Sequence, residues 1–369
     1  MPIQRAKPRF IDSKGTATAN QLNIGQIGGR RNLIINGAMQ VAQRGTSISV
    51  SSTAVYTLDR FSAHKDTNTM TATQASDAPT GFEYSLKLTN GTGASPSSSH
   101  INCITYSVEG YDSTQLEIGT ANAKKVTLSF HVKSSITGTY VVGFLDSGND
   151  NGYIADYTIN SANTWEKKTI TLTMSDYGSW VGSSTNGTNL IIHWDLNSGS
   201  DRDVSTLNVW NDGVANDFSH SSQVDWVGTT GSTFYLTGVQ LEVGDKATPF
   251  EHRSFGDELA LCQRYFQKYS DNGGGSGYIS NGYIDNDRYY GVMRYANTMR
   301  ANPTCAGTSG DFAVQSAAYS ASGFSIDEQH NPTVDSVRFR TGSNSNFTDG
   351  QGAILKFGEA GSVTLDAEL

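Results

Sequence analysis

The sequence predicts an all-β protein: a jelly-roll β-sandwich, then a short helix and a smaller β-rich C-terminal tip domain, with an extended arm at the N-terminus. Three observations predict it. Only 17% of the 369 residues are charged, and Ser, Thr, Asn and Gly abound, as in short strands joined by many turns. Apolar runs recur at spacings of roughly ten to thirty residues, separated by Gly, Asn and Ser clusters. Between those runs no helical period appears before residue 254. A chain of this length is long enough for two or three domains of roughly 100 to 200 residues each.

Taken in order, residues 1–31 hold Arg5, Lys7, Arg9, Lys14, Arg30 and Arg31 and close on Gly25, Gly28 and Gly29. Too little apolar surface is present for this segment to fold alone, so it is either a disordered tail or an arm that orders against a larger, acidic assembly. Residues 32–253 form the predicted sandwich. Strands are expected at Leu33-Ile34-Ile35 and at 84–88, 126–132, 140–145, 169–174, 190–194 and 234–241. In Val126-Thr-Leu-Ser-Phe-His-Val132 every second residue is apolar, the mark of a strand with one face on a core. Leu236, Val239, Leu241 and Val243 read as a further core strand that Pro249 terminates.

Residues 254–277 are read as a helix and a glycine-rich joint. Ser254 stands three residues before Asp257, an approximate capping box, and Leu259, Leu261, Cys262, Tyr265 and Phe266 follow at helical spacings. The helix is expected to end before Asp271-Asn-Gly-Gly-Gly-Ser-Gly277. Residues 278–369 form the tip domain, with strands at 289–295, 335–340 and 353–357 and a break at Arg300-Ala-Asn-Pro303. So few large aliphatic side chains predict a small core, of a kind that partner chains often complete.

Charge narrows the partners. A net charge of −9 repels phosphate backbones, so nucleic acid is not expected as a partner. Cys103, Cys262 and Cys305 are too few and too scattered for a disulfide framework or a CxxC zinc pair; they read as apolar side chains in a protein made in a reducing cytoplasm. No apolar run approaches the roughly 20 residues that span a bilayer, and the polar, basic opening lacks a secretory core, so membrane insertion is not expected.

The chain carries no nucleophile elbow, phosphate loop or HExxH helix. His193 in Ile191-Ile-His-Trp-Asp195 reads as a hydrogen-bonded strand histidine beside an aspartate. Two correctly spaced acids would suffice to cleave a glycan, yet the many acids mark no pair and no repeat period is present. Asp146-Ser-Gly-Asn-Asp-Asn-Gly152 resembles half a calcium loop, but Tyr157 stands where the closing Glu belongs, and a hairpin turn is the better reading. No catalytic residue, metal site or cofactor is therefore expected.

Aromatic residues are more informative. Tyr177, Trp180 and Trp210 sit among Gly, Ser, Asn and Asp, where a ring can stack on the apolar face of a sugar while amides and carboxylates bond its hydroxyls. Trp165 and Trp194, in apolar strand contexts, read as core. The tip domain carries Tyr278, Tyr283, Tyr289, Tyr290 and Tyr295 with Asn281, Asp285 and Asp287, a pattern that suits either a contact surface or packing between chains. Tyr177, Trp180, Trp210, Tyr283 and Tyr289 are the candidate ligand-binding residues.

Two long segments resemble a family of bacteriophage tail fibre and minor structural proteins with a carbohydrate-binding-like jelly-roll domain. They are Asn32-Leu-Ile-Ile-Asn-Gly-Ala-Met-Gln-Val-Ala-Gln-Arg-Gly-Thr46 with Tyr56-Thr-Leu-Asp-Arg-Phe61, and Thr237-Gly-Val-Gln-Leu-Glu-Val-Gly-Asp-Lys-Ala-Thr-Pro-Phe-Glu-His-Arg253 running into Glu258-Leu-Ala-Leu-Cys-Gln-Arg-Tyr-Phe266. The ending, Thr364-Leu-Asp-Ala-Glu-Leu369, is similar too. The resemblance implies a homotrimeric fibre on the virion, docked to other tail or capsid proteins through the N-terminal arm, that attaches to a host-surface glycan or protein. A capsid-borne fibre or decoration subunit, and a polysaccharide depolymerase, are the alternatives. Both long motifs read physically as scaffold, with Gln40, Gln43, Arg44 and Thr46 placed to satisfy backbone groups.

Overall fold

A computed structural model describes residues 30–369 apart from 51–53, 67–68, 213–216, 271–276, 309–310, 318, 331 and 359–360, and apart from the side chains of 326–330. Nearly all of the expected N-terminal arm and most of the glycine joint lie outside the described residues. The chain divides into two compact units, the first ending at Arg253 and the second beginning at Ser254.

The first unit contains β1 (Ser47–Val50), β2 (Val55–Tyr56), β3 (Phe61–Lys65), β4 (Met70–Ala75), β5 (Ser85–Asn90), β6 (Asn102–Glu109), β7 (Lys125–Ser134), β8 (Gly138–Leu145), β9 (Asn151–Ile159), β10 (Glu166–Thr173), β11 (Thr188–Asp195), β12 (Trp210–Asp212) and β13 (Thr233–Val243). One sheet runs β1-β4-β5-β13-β7-β10 and the other β12-β9-β8-β11-β6-β3-β2. Every pairing within them is antiparallel, and together they make a jelly-roll sandwich. A single turn, α1 (Gly110–Ser113), follows β6.

The two inner faces interdigitate. Leu88, Leu128, Phe130, Val132 and Phe234 come from one sheet, and Phe61, Tyr106, Val142, Phe144 and Trp194 from the other, all wholly or almost wholly buried. Phe130 meets Trp194 edge-on, with ring centroids 5.9 Å apart. The alternation in β7 does place Val126, Leu128, Phe130 and Val132 on the core, but Thr127 and Ser129 opposite are buried as well. Chain covers that side too: Thr127 Oγ1 donates to the Gly244 carbonyl at 3.0 Å, and the Phe82 ring lies 5.3 Å from that of His131.

Three sequence expectations change here. Leu33-Ile34-Ile35 is not a strand; it is a buried irregular segment whose N–H groups go to the Leu241 carbonyl, the Asn32 Oδ1 and the Tyr106 hydroxyl. Arg253 donates to the carbonyls of Ile34 and Asn32, so the two family-like motifs pin each other. In β13 the step from Leu236 to Val239 is a β-bulge: Gly238 sits at φ 61°, and the register shifts between Thr237 and Gln240. A Cβ at Gly238 would lie 2.7 Å from His131 Nδ1 and from Phe82 Cζ. Trp165 is not core; its Nε1 donates to Asp77 Oδ1 at 3.0 Å beside Lys133.

Lys65, at the end of β3, is wholly buried, and its ammonium donates to Asn90 Oδ1. Burial pulls its pKa down to about 8. Asn90 in turn donates to the carbonyls of Val227 and Thr229, so this polar pair fixes the loop that enters β13. On the outward side of the second sheet, Val204 and Phe218 of the long connection from β11 to β13 pack on Val141, Leu145 and Ile154. That connection therefore roofs part of the sheet.

The second unit holds α2 (Phe255–Gln263), β14 (Phe266–Ser270), β15 (Tyr278–Asp285), β16 (Arg288–Arg294), β17 (Thr304–Gly307), β18 (Phe312–Ser316), β19 (Ser320–Phe324), β20 (Ile326–His330), β21 (Ser336–Thr341), β22 (Gly352–Phe357) and β23 (Ser362–Asp366). Its sheets run β14-β23-β17 and β19-β18-β22-β15-β16-β21-β20. Ser254 Oγ caps the helix by accepting the Asp257 N–H at 3.2 Å. The helix ends sooner than its apolar spacing suggests: Arg264 is the cap and Phe266 opens β14, which pairs with β23. Asn286 and Asp287, at φ 48° and 59°, make the tight turn between β15 and β16. Phe312, Phe339, Leu355 and Leu365 centre a core in which aromatic rings replace aliphatic bulk.

Candidate functional site

The hairpin of β8 and β9 turns at residues 146–150, and Asp146 organises the turn. Its Oδ1 accepts the N–H groups of Gly148 and Asp150 at 3.1 and 2.9 Å. Its Oδ2 accepts Asn151 Nδ2 at 2.6 Å and the N–H of Val181 at 3.1 Å. The segment that resembled half a calcium loop is thus a turn whose carboxylate is aimed into the chain, and it clamps residues 179–182. Ser147 adds two bonds to the Val181 carbonyl, from its N–H and its hydroxyl, each 2.9 Å.

That clamp carries Trp180. The indole Nε1 lies 3.2 Å from both the carbonyl and the Oδ1 of Asn189, so its polar edge is tied down and its ring plane is fixed. Asn189 is held in turn by donating Nδ2 to Ser113 Oγ at 2.9 Å. Trp210, on β12, meets Trp180 edge-on at 5.7 Å and 83°, and donates its own Nε1 to the Thr173 carbonyl at 2.8 Å. Tyr177 donates its hydroxyl to the Trp210 carbonyl at 3.3 Å. Tyr153 of β9 completes the cluster, 5.4 Å from Trp210. The fold therefore brings Tyr177, Trp180 and Trp210 together.

Beside Trp180 opens a cleft of about 400 Å³ lined by Ser113, Thr114, Glu117, Thr120, Ser183 and Asn189, with backbone from Gly119, Gly178 and Gly182. Gly119 lies at φ 78°, and a Cβ there would come within 3.3 Å of Trp180 Cβ. The lining mixes one indole ring with hydroxyl, amide and backbone groups and holds one carboxylate, Glu117, which pairs with Lys124 at 2.7 Å. Such a cleft offers a stacking surface and a fan of short hydrogen-bonding groups, without a cation among its lining residues. Ser113, Thr114, Glu117 and Asn189 were not singled out from the sequence; no local pattern marks them.

The other candidates fall elsewhere. Tyr283, in the second unit, is 53% exposed and stacks on Tyr290 at 5.6 Å. Tyr289 must be withdrawn as a ligand contact: its ring is wholly buried, and its hydroxyl is bonded to the hydroxyl and carbonyl of Ser280 at 2.7 and 2.9 Å. Gly291 makes room for it, since a Cβ there would stand 2.1 Å from the Tyr289 hydroxyl. His193 and Asp195 are both buried, 3.3 Å apart, and Asp195 is committed to Ser198, Asn197 and Gln223. Among the described residues no group of three or more His, Cys, Asp or Glu is placed to hold a metal ion.

No protein-family model matches the chain, and no curated protein sequence matches it. Similar solved structures include a sugar-binding protein from Bacteroides thetaiotaomicron described as putative, 11% identical, which covers 58% of this chain and 100% of its own at a TM-score of 0.31. TmCBM61 in complex with beta-1,4-galactotriose is 8% identical over 58% of this chain and 100% of its own, at a TM-score of 0.30. The enzymatically active domain of tailspike protein 4 from bacteriophage CBA120 is 14% identical over 58% of this chain at a TM-score of 0.29, and the match spans 21% of that chain. Likeness of this order assigns neither ligand nor activity; the sandwich rests on its own strand order.

Proposed function

We propose that this protein is a phage virion fibre subunit that binds a host-surface saccharide and performs no chemistry on it. The observation that carries the reading is the cleft at Trp180, where a ring with its polar edge anchored lies beside hydroxyl and amide groups. This is the arrangement that grips a sugar by stacking on its apolar face and bonding its rim. Glycosidic cleavage by the common route needs two carboxyl groups across one bond, and the cleft lining supplies only Glu117. A single shallow site binds weakly, so the proposal includes display on a homotrimer, with avidity supplying the strength, and docking to tail or capsid proteins through residues 1–31.

The test is a glycan array bearing host-surface polysaccharides, probed with the full chain and with Trp180→Ala. Selective binding by the wild type, lowered about tenfold or more in the variant, supports the reading. Asn189→Ala serves as a milder second variant that frees the indole without removing it. Equal binding by all three proteins, or shortening of the polymer during incubation, overturns it.

A further inference from the structure

On the strands β15, β16, β21 and β22 of the second unit, side chains alternate between the core and an outward face. Tyr289, Met293, Val337, Phe339, Ala353 and Leu355 point in; Tyr283, Tyr290, Val292, Arg294, Arg338, Arg340, Ile354 and Lys356 point out. Antiparallel register sets Tyr283 beside Tyr290 and Tyr290 beside Arg340, with Val292 beside Arg338 one step along. Arg294 is then the diagonal neighbour of Arg338, roughly 7–8 Å away. Tyr278, Tyr283 and Val292 are 71%, 53% and 50% exposed.

Charge on this face runs against that of its surroundings. Residues 254–369 hold 13 Asp and Glu against 8 Lys and Arg, yet Arg288, Arg294, Arg338, Arg340 and Lys356 all lie on these four strands. Asp285 is the one acid on the same strands, and Glu328 of the adjoining β20 stands in register with Arg340, leaving Arg294 and Arg338 as the arginines of interest. Arg294 and Arg338 have no ion-pair partner among the described residues, and both are exposed. Two near-parallel phenol rings, 18° apart, lie on the same face, with Tyr290 in register with Arg340 and diagonal to Arg338.

We propose that this face is a binding surface for an acidic polysaccharide, the rings taking sugar faces and Arg294 and Arg338 taking carboxylates. Guanidinium forks match carboxylates in geometry, and aromatic rings in a sheet give contact area at small entropic cost. A second copy presenting the same face would set arginine against arginine, and a nucleic acid would meet a chain of net charge −9. The proposal is independent of the cleft at Trp180.

The experiment is retardation of the full-length protein in gels containing polygalacturonate, with dextran as the neutral control. Retardation by polygalacturonate that fades with added salt, falls about tenfold in the double variant Arg294→Ala, Arg338→Ala, and persists in Trp180→Ala is the expected result. Arg338→Lys, which keeps the charge, should retain part of it and reports on folding. Four results overturn the proposal: no retardation of the wild type, equal retardation of the double variant, equally effective competition by oligothymidylate, or a fall in solution mass in the double variant, which would make the face a contact between copies.

Discussion

Replacing Lys65 by Met tests whether the buried ammonium is paid for by its surroundings. Lys65 is wholly buried, its partners are the Asn90 side chain and the Thr69 carbonyl, and no carboxylate forms an ion pair with it among the described residues. Burial lowers its pKa from 10.5 to about 8. The folded protein therefore favours the neutral amine, and the unfolded chain binds more protons between these two values. Stability must rise with pH through that window, and the penalty is complete below pH 8, at about 3 kcal/mol. Most of this, roughly 2 to 3 kcal/mol, is recovered between pH 7 and pH 10. The assay is urea unfolding of wild type and Lys65→Met at both pH values. Because other groups titrate alike in both proteins, the stability difference between them isolates Lys65. The wild type should gain on the variant by that amount as pH rises; a constant difference, or one of opposite slope, would refute the reasoning.

Other substitutions follow from the same geometry. Asp146→Ala removes four accepted hydrogen bonds and should destabilise the first unit by about 2 kcal/mol, with a parallel loss of saccharide binding, measured by thermal unfolding and by glycan titration. Gly238→Ala forces a Cβ against His131 and Phe82 at positive φ and should cost about 1–3 kcal/mol, read from the urea midpoint. Tyr289→Phe strips the partner from buried Ser280 and should cost about 1–2 kcal/mol in the second unit while leaving glycan binding at Trp180 unchanged.

Much of the sandwich was legible because alternation is a local property. The runs at β7, β8, β11 and β13 could be read without knowing their partners, whereas the three-residue step between Leu236 and Val239 reads as plain strand until the register shift shows the bulge at Gly238. Leu33-Ile34-Ile35 misled because apolar content alone does not distinguish a strand from a buried coil whose backbone is satisfied by distant groups such as Tyr106 and Leu241. Tyr265 and Phe266 misled for a related reason, since their spacing continues the helix although the chain has already turned into β14. At the site, rings among small polar residues marked Tyr177, Trp180 and Trp210. Ser113 and Asn189 became visible only through a contact spanning 76 positions. Tyr289 and Tyr290 show the remaining limit: neighbours in a strand face opposite ways, and only the register tells which is wet.

The roof that Val204 and Phe218 place over the second sheet bears on what kind of receptor can be read. A sandwich with that side open offers a long floor along which a polymer can lie, so affinity grows with the number of sugars in line. Here the floor is interrupted, and the cleft beside Trp180 is bounded by loops and only about 400 Å³ in volume. Under the saccharide reading, recognition at this cleft is confined to a branch or a chain end. Lengthening the bound polymer would then leave affinity at this cleft unchanged, whereas capping or trimming its terminal sugar would abolish it.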